Sequence, residues 1–278
     1  MNLFFLSLIK TNEVFVILGG SGASNFNNYT YEATNENVFS YNSGWVKAES
    51  PMLGGDGNLG SPWAQLGNNL NIQTGQDIFF IDCARIGAKV TDWSLGGQYY
   101  TLANQCLDFA GNFSENYSVL WQEGSQDNDY SYNSNYFIHT ILGLMRPNSD
   151  WLLSISTYSD GSQNRFSKLN DIVYLTKNYE NIFLGANLDG QCLGDPPYNQ
   201  EQVETLVELW DQSIKEKEKP YFINSIYNSC GIWRPFSDFF LLIGISMMII
   251  FLCLGCYYSR EYYSRRRYYI SIQDNDNI

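Results

Sequence analysis

The sequence predicts an α/β domain built on a doubly wound, flavodoxin-like sheet of five parallel strands, followed by one C-terminal transmembrane helix. Three observations carry this. Five short apolar runs recur along the chain, helical spacing alternates with them, and one long uncharged stretch stands near the end.

The runs are Val14 to Leu18 (VFVIL), Ile78 to Cys83 (IFFIDC), Ser118 to Trp121 (SVLW), Trp151 to Ile155 (WLLSI) and Ile182 to Leu184 (IFL). Continuous rather than alternating apolar character marks strands buried on both faces, as parallel strands are. Helical spacing follows at Tyr136 to Met145, Ser167 to Lys177 and Gln200 to Lys215; in the last, Val203, Leu206, Val207 and Leu209 form a core-facing stripe. Strand and helix in alternation imply right-handed crossovers, with ligands bound beyond the carboxyl ends of the strands. The segment Asn25 to Asn69, broken by Pro51, Pro62 and MLGGDGNLGSP, reads as a long polar loop.

Phe239 to Tyr258 is 20 residues without a formal charge, enough at about 1.5 Å of rise each to cross a hydrocarbon core of about 30 Å. Arg260, Arg265, Arg266 and Arg267 crowd its far side, so the positive-inside rule assigns residues 259–278 to the cytoplasm as a tail. The domain, 13–224, is then expected on the lumenal or extracellular side, joined to the lipid bilayer by a stalk, 225–238. Met1 to Ile9 is apolar enough for a short signal segment within 1–12, although it lacks a basic start and an A-x-A-like cleavage site. Asn28, Asn112 and Asn116 open N-x-S/T triplets, glycosylation acceptors in such a compartment.

The chain has net charge −13, and the tail carries four arginines against three acids, so what precedes it carries −14. That field disfavours nucleic acid as a partner. Cys83, Cys106, Cys192 and Cys230 lie ahead of the span at separations that fit neither a CxxC zinc site nor a haem attachment. One or two disulfides are expected, Cys192 with Cys230 among the pairings. No metal site and no cofactor is implied.

Polar residues and glycine collect at the strand ends. Gly19-Gly20-Ser21-Gly22-Ala23-Ser24-Asn25 follows the first run, and Cys83-Ala84-Arg85-Ile86-Gly87 the second, leading to Asp92-Trp93. Trp121-Gln122-Glu123-Gly124-Ser125-Gln126-Asp127 closes the third, and Leu188-Asp189-Gly190-Gln191-Cys192 follows the fifth. Taken in order, these blocks resemble the SGNH/GDSL hydrolase superfamily, and within it the sialate O-acetylesterase-like carbohydrate esterases. Their pattern is a GQSN turn, a glycine followed by a tryptophan, a WHQGESD strand end and a late DG-x-H.

The resemblance covers Glu13 to Ile214 and implies a serine ester hydrolase acting on an O-acetylated glycan or another ester. GASN at Gly22 to Asn25 matches GQSN and makes Ser24 the favoured nucleophile, whereas a gapless register from the strand makes it Ser21. Gly87 would offer its N–H to an oxyanion, Trp93 and Asn25 would line the pocket, and Glu123 stands where the family has the glutamine that faces the oxyanion. Asp189 takes the acid position and Cys192 the position of the general-base histidine. The only histidine, His139, lies in NYFIHTILGLM on a helix after the third strand. A serine hydroxyl without a base is a poor nucleophile at neutral pH, so the expectation is a catalytically degenerate, membrane-anchored esterase-like domain. Two alternatives stay open: an active esterase with an unorthodox base, and a surface protein that binds glycans or adheres without chemistry.

Overall fold

The computed structural model describes residues 12–122, 127, 134–156, 165–191 and 193–219. The uncharged stretch 239–258 lies outside them, and among the described residues no helix is long and apolar enough to cross a membrane.

The five expected strands form. They are β1 (Asn12–Gly19), β4 (Asp77–Asp82), β5 (Tyr117–Gln122), β6 (Ser149–Ile155) and β7 (Ile182–Asn187). All pair in parallel, in the spatial order β4-β1-β5-β6-β7. The sheet is wider than five strands: β2 (Val38–Tyr41) joins β4 in parallel and β3 (Trp45–Lys47) closes that edge antiparallel, giving seven strands among the described residues. Both lie inside the segment read as loop. β2 has only four residues with half-buried alternation, and β3 is a three-residue edge strand, too short for periodicity to register.

The helices sort into two layers. On one face, α2 (Val90–Trp93), α3 (Tyr100–Phe113), α4 (Ser134–Leu144) and α5 (Arg165–Asn178) cover a core of Val14, Val16, Phe79, Ile81, Val119, Trp121, Trp151 and Leu153. On the other, α1 (Trp63–Thr74) and α6 (Gln200–Glu216) cover Phe15, Ile17, Ile78, Phe80, Leu120 and Leu152. Alternate residues of each strand thus feed alternate cores, as a period of two requires. The layers account for the unbroken apolar runs.

The helix α1 escapes the sequence reading because its polar residues are structural. Asn68 lies buried in it and accepts from the backbone N–H groups of Thr34 and Asn35. Asn71, also buried, donates to the Gln76 carbonyl, and Gly67 leaves room for Val38 and Phe80, either of which an added Cβ would meet at 2.5–2.6 Å. Low helix propensity is accepted here for contacts that only the folded chain supplies.

A disulfide joins Cys83, just past β4, to Cys106 in the middle of α3. It ties down the strand end from which the next loop departs, and bonds of this kind persist in oxidising compartments. The cysteines are 23 residues apart, and closing a loop of that length in the unfolded chain corresponds to about 3 kcal/mol. Cys106→Ser is expected to lower the unfolding free energy of the domain by about that amount in a urea titration. Reducing agent should lower the wild type by at least that amount.

Candidate active site at the carboxyl end of β1

The central strand β1 runs out between β4 and β5, the point where the strand order reverses, and backbone bonds from both neighbours hold its end. Gly20 N–H donates to the Gln122 carbonyl at 2.9 Å, and Arg85 N–H to the Gly19 carbonyl at 3.0 Å. Gly19 has φ +133°, and a Cβ there would stand 2.0 Å from the Gln122 carbonyl oxygen, so the close approach demands glycine. The chain then makes one helical turn, with Ala23 and Ser24 N–H groups both donating to the Gly20 carbonyl.

That turn separates the two candidate serines. Ser24 is 0% exposed, and its hydroxyl donates to the Ser21 carbonyl at 3.0 Å. Ser21 is 8% exposed, and its Oγ accepts from the Gly87 N–H at 2.9 Å. The three-residue offset points Ser21 across to the loop after β4 and Ser24 into the body of the turn. Gly87 has φ +69° with nothing within 4 Å of an added Cβ. Its glycine is required by the left-handed backbone rather than by space.

Asn25 is buried and pins a loop. Its amide donates to the Met52 carbonyl at 2.7 Å and the Gly55 carbonyl at 3.2 Å, and its Oδ1 accepts from Met52 N–H at 2.6 Å. The glycine-rich segment is thereby drawn over the ends of β1 and β4. Trp93 is core: it is 1% exposed and packs on Trp121 and Tyr99 at ring-centroid distances of 6.1 and 5.3 Å. Glu123 and Cys192 lie outside the described residues. Asp189 is buried and opens a single 3-10 turn, Asp189–Gln191, just after β7. His139 is exposed on α4. Asn28, Asn112 and Asn116 are all exposed.

Sequence reasoning gave no role to Gln122 or Asp82. Gln122 is 1% exposed; its Oε1 accepts from Trp210 Nε1–H at 2.9 Å, which turns its amide nitrogen toward Gly22, 2.6 Å from where a Cβ would be. Asp82, at the end of β4, is also 1% exposed. Its Oδ1 accepts from Ala84 N–H at 3.0 Å, while Oδ2 has no hydrogen-bond partner among the described residues and abuts Gly55. Two polar residues ending apolar strands were the available signal. The open cleft of about 410 Å³ lined by Glu13, Tyr117, Asp150 and Lys217 lies at the opposite edge, where the strands begin. Among the described residues no group of acids, cysteines or histidines could hold a metal ion.

No family model and no curated protein matches this sequence. Solved structures do. A protein of Arabidopsis thaliana is 15% identical with a TM-score of 0.57, covering 74% of this chain and 99% of its own. NanS is 11% identical with a TM-score of 0.55, covering 74% of this chain and 97% of its own. A carbohydrate acetylesterase from Xanthomonas citri is 10% identical at a TM-score of 0.49, covering 74% of this chain and 56% of its own.

Burial pushes the Asp82 carboxyl well above the ordinary range, against the weaker pull of the Ala84 amide and the Arg85 guanidinium. A carboxyl raised in the folded state binds more protons folded than unfolded, so its contribution to stability is complete below about pH 4 and is lost as pH rises through the folded value. Asp82→Asn should therefore flatten the fall in stability above about pH 4, a slope of about 1.4 kcal/mol per pH unit in that window. Thermal melts at pH 4 and pH 7 test this: the variant should melt higher than the wild type at pH 7 and gain nothing at pH 4. The solved structures show that this chain shares its fold with the Arabidopsis thaliana protein and with NanS.

Proposed function

We propose that residues 12–219 form an ester-binding domain for O-acetylated glycans, with Ser21 in the nucleophile position and Gly87 as the oxyanion donor. The Gly87 N–H on Ser21 Oγ, at 2.9 Å, is the observation that carries this. A backbone donor fixed beside a serine hydroxyl at a strand end is the arrangement that stabilises charge on an ester carbonyl. Ser24, fully buried with its hydroxyl spent on a backbone carbonyl, is left with a structural role.

Turnover is limited by the base. The sequence has one histidine, exposed on α4, and the position resembling the family's histidine is Cys192. Losing one triad member leaves a residual rate owed to the oxyanion hole and to binding alone, with several orders of magnitude gone. The domain is then a binder of acetyl esters that hydrolyses them slowly at best. The disulfide supports a lumenal or extracellular setting, tethered to the bilayer through 239–258.

Hydrolysis and binding of an acetylated chromogenic ester and an O-acetyl glycoside by the full chain in detergent test the assignment. Ser21→Ala should remove whatever turnover the wild type shows, while Ser24→Ala keeps it and loses about 1 kcal/mol of stability with its hydrogen bond. Turnover that survives Ser21→Ala and vanishes in Ser24→Ala would overturn it.

A further inference from the structure

The loop that offers Gly87 is held by carboxylates. Asp56 Oδ2 accepts from the Ile86 N–H at 3.2 Å, Asp92 Oδ2 from the Lys89 N–H at 2.8 Å, and Asp127 Oδ2 from the Val90 N–H at 2.8 Å. Between them the Gly87 N–H meets Ser21. Each carboxylate comes from a different place, the glycine-rich loop, α2 and the loop after β5, so the charge closes in from several sides. Asp189 and Asp195 follow β7 at the same edge of the sheet.

The cations of the loop are Arg85 and Lys89. Arg85 Nη1 donates to the Gly54 and Ala84 carbonyls at 2.9 and 2.8 Å, and its guanidinium lies near the buried Asp82. One of its two terminal nitrogens is thereby tied to the scaffold. Binding a substrate carboxylate would need such a fork held open. Against Arg85 and Lys89 stand the three carboxylates that hold the loop's backbone, on a chain of net charge −13.

We infer that this site takes uncharged O-acetyl sugars and discriminates against acidic ones, because Asp56, Asp92 and Asp127 ring the loop that carries the Gly87 donor. The inference rests on the reading of Ser21 and Gly87 given above and narrows its substrate class. Like charges opposed across a binding face cost affinity for the wrong partner more than they add for the right one. Asp56, exposed on its loop, is the carboxylate a ligand would meet first.

Three probes decide it with the full chain: the methyl glycoside of 9-O-acetyl sialic acid, the same compound with its carboxylate capped as a methyl ester, and a methyl 6-O-acetyl glucoside. The first two differ by one charge. At low salt the capped sialoside should bind at least about tenfold more tightly than the free acid, a difference of about 1.4 kcal/mol. High salt, which shortens the screening length from about 10 Å at 0.1 M to about 3 Å at 1 M, should narrow that gap, as should Asp56→Asn. Free acid bound as tightly as its capped form, or more tightly, overturns the inference and leaves the acetyl-ester site standing. Failure of all three probes to bind, in folded protein, overturns the site and the inference together.

Discussion

The candidate site depends on how closely β1 is gripped at its carboxyl end. Gly19 passes so near the Gln122 carbonyl that no side chain fits, and Gly20 and Arg85 close backbone bonds across the two strand boundaries. These contacts belong to the sheet rather than to flexible side chains, so the turn leaving β1 inherits the rigidity of the central strand. Ser21 reaches Gly87 because both are anchored one and two residues beyond that register. A site carried on rigid strand ends holds its geometry better than one carried on loops alone.

Around this grip the long segment after β1 acts as a second layer. Asn25 draws Met52 and Gly55 inward, Asp56 reaches across to Ile86, and Trp63 Nε1 donates to the Ala23 carbonyl at 2.6 Å. Glycine-rich sequence is what permits it: Gly54 and Gly55 lie against Asp82 where any Cβ would collide. The burial that raises the Asp82 carboxyl is therefore a consequence of closing this loop over the sheet.

The central strands were legible because each is buried on both faces and reads as an unbroken apolar run. The edge was not, since β2 and β3 are short and α1 spends asparagines and a glycine on contacts made in three dimensions. The site divided in the same way. Glycine after a strand, and Gly87 in particular, could be found from pattern, as could the pair Ser21 and Ser24. Which serine faces the donor depends on one helical turn, Gly20 to Ser24, whose hydrogen bonds to the Gly20 carbonyl leave no mark in composition. Asn25 and Trp93 look like pocket residues in sequence because polar and aromatic side chains at strand ends serve packing and ligands alike; here one pins a loop and the other fills the core.

A crystal structure of the chain with a bound O-acetyl methyl glycoside tests the account most directly. It predicts the acetyl carbonyl oxygen within about 3 Å of the Gly87 nitrogen, with Ser21 Oγ released from that amide and facing the carbonyl carbon. A bound sugar whose acetyl group lies elsewhere, with the Gly87 amide still on Ser21 Oγ, would contradict it.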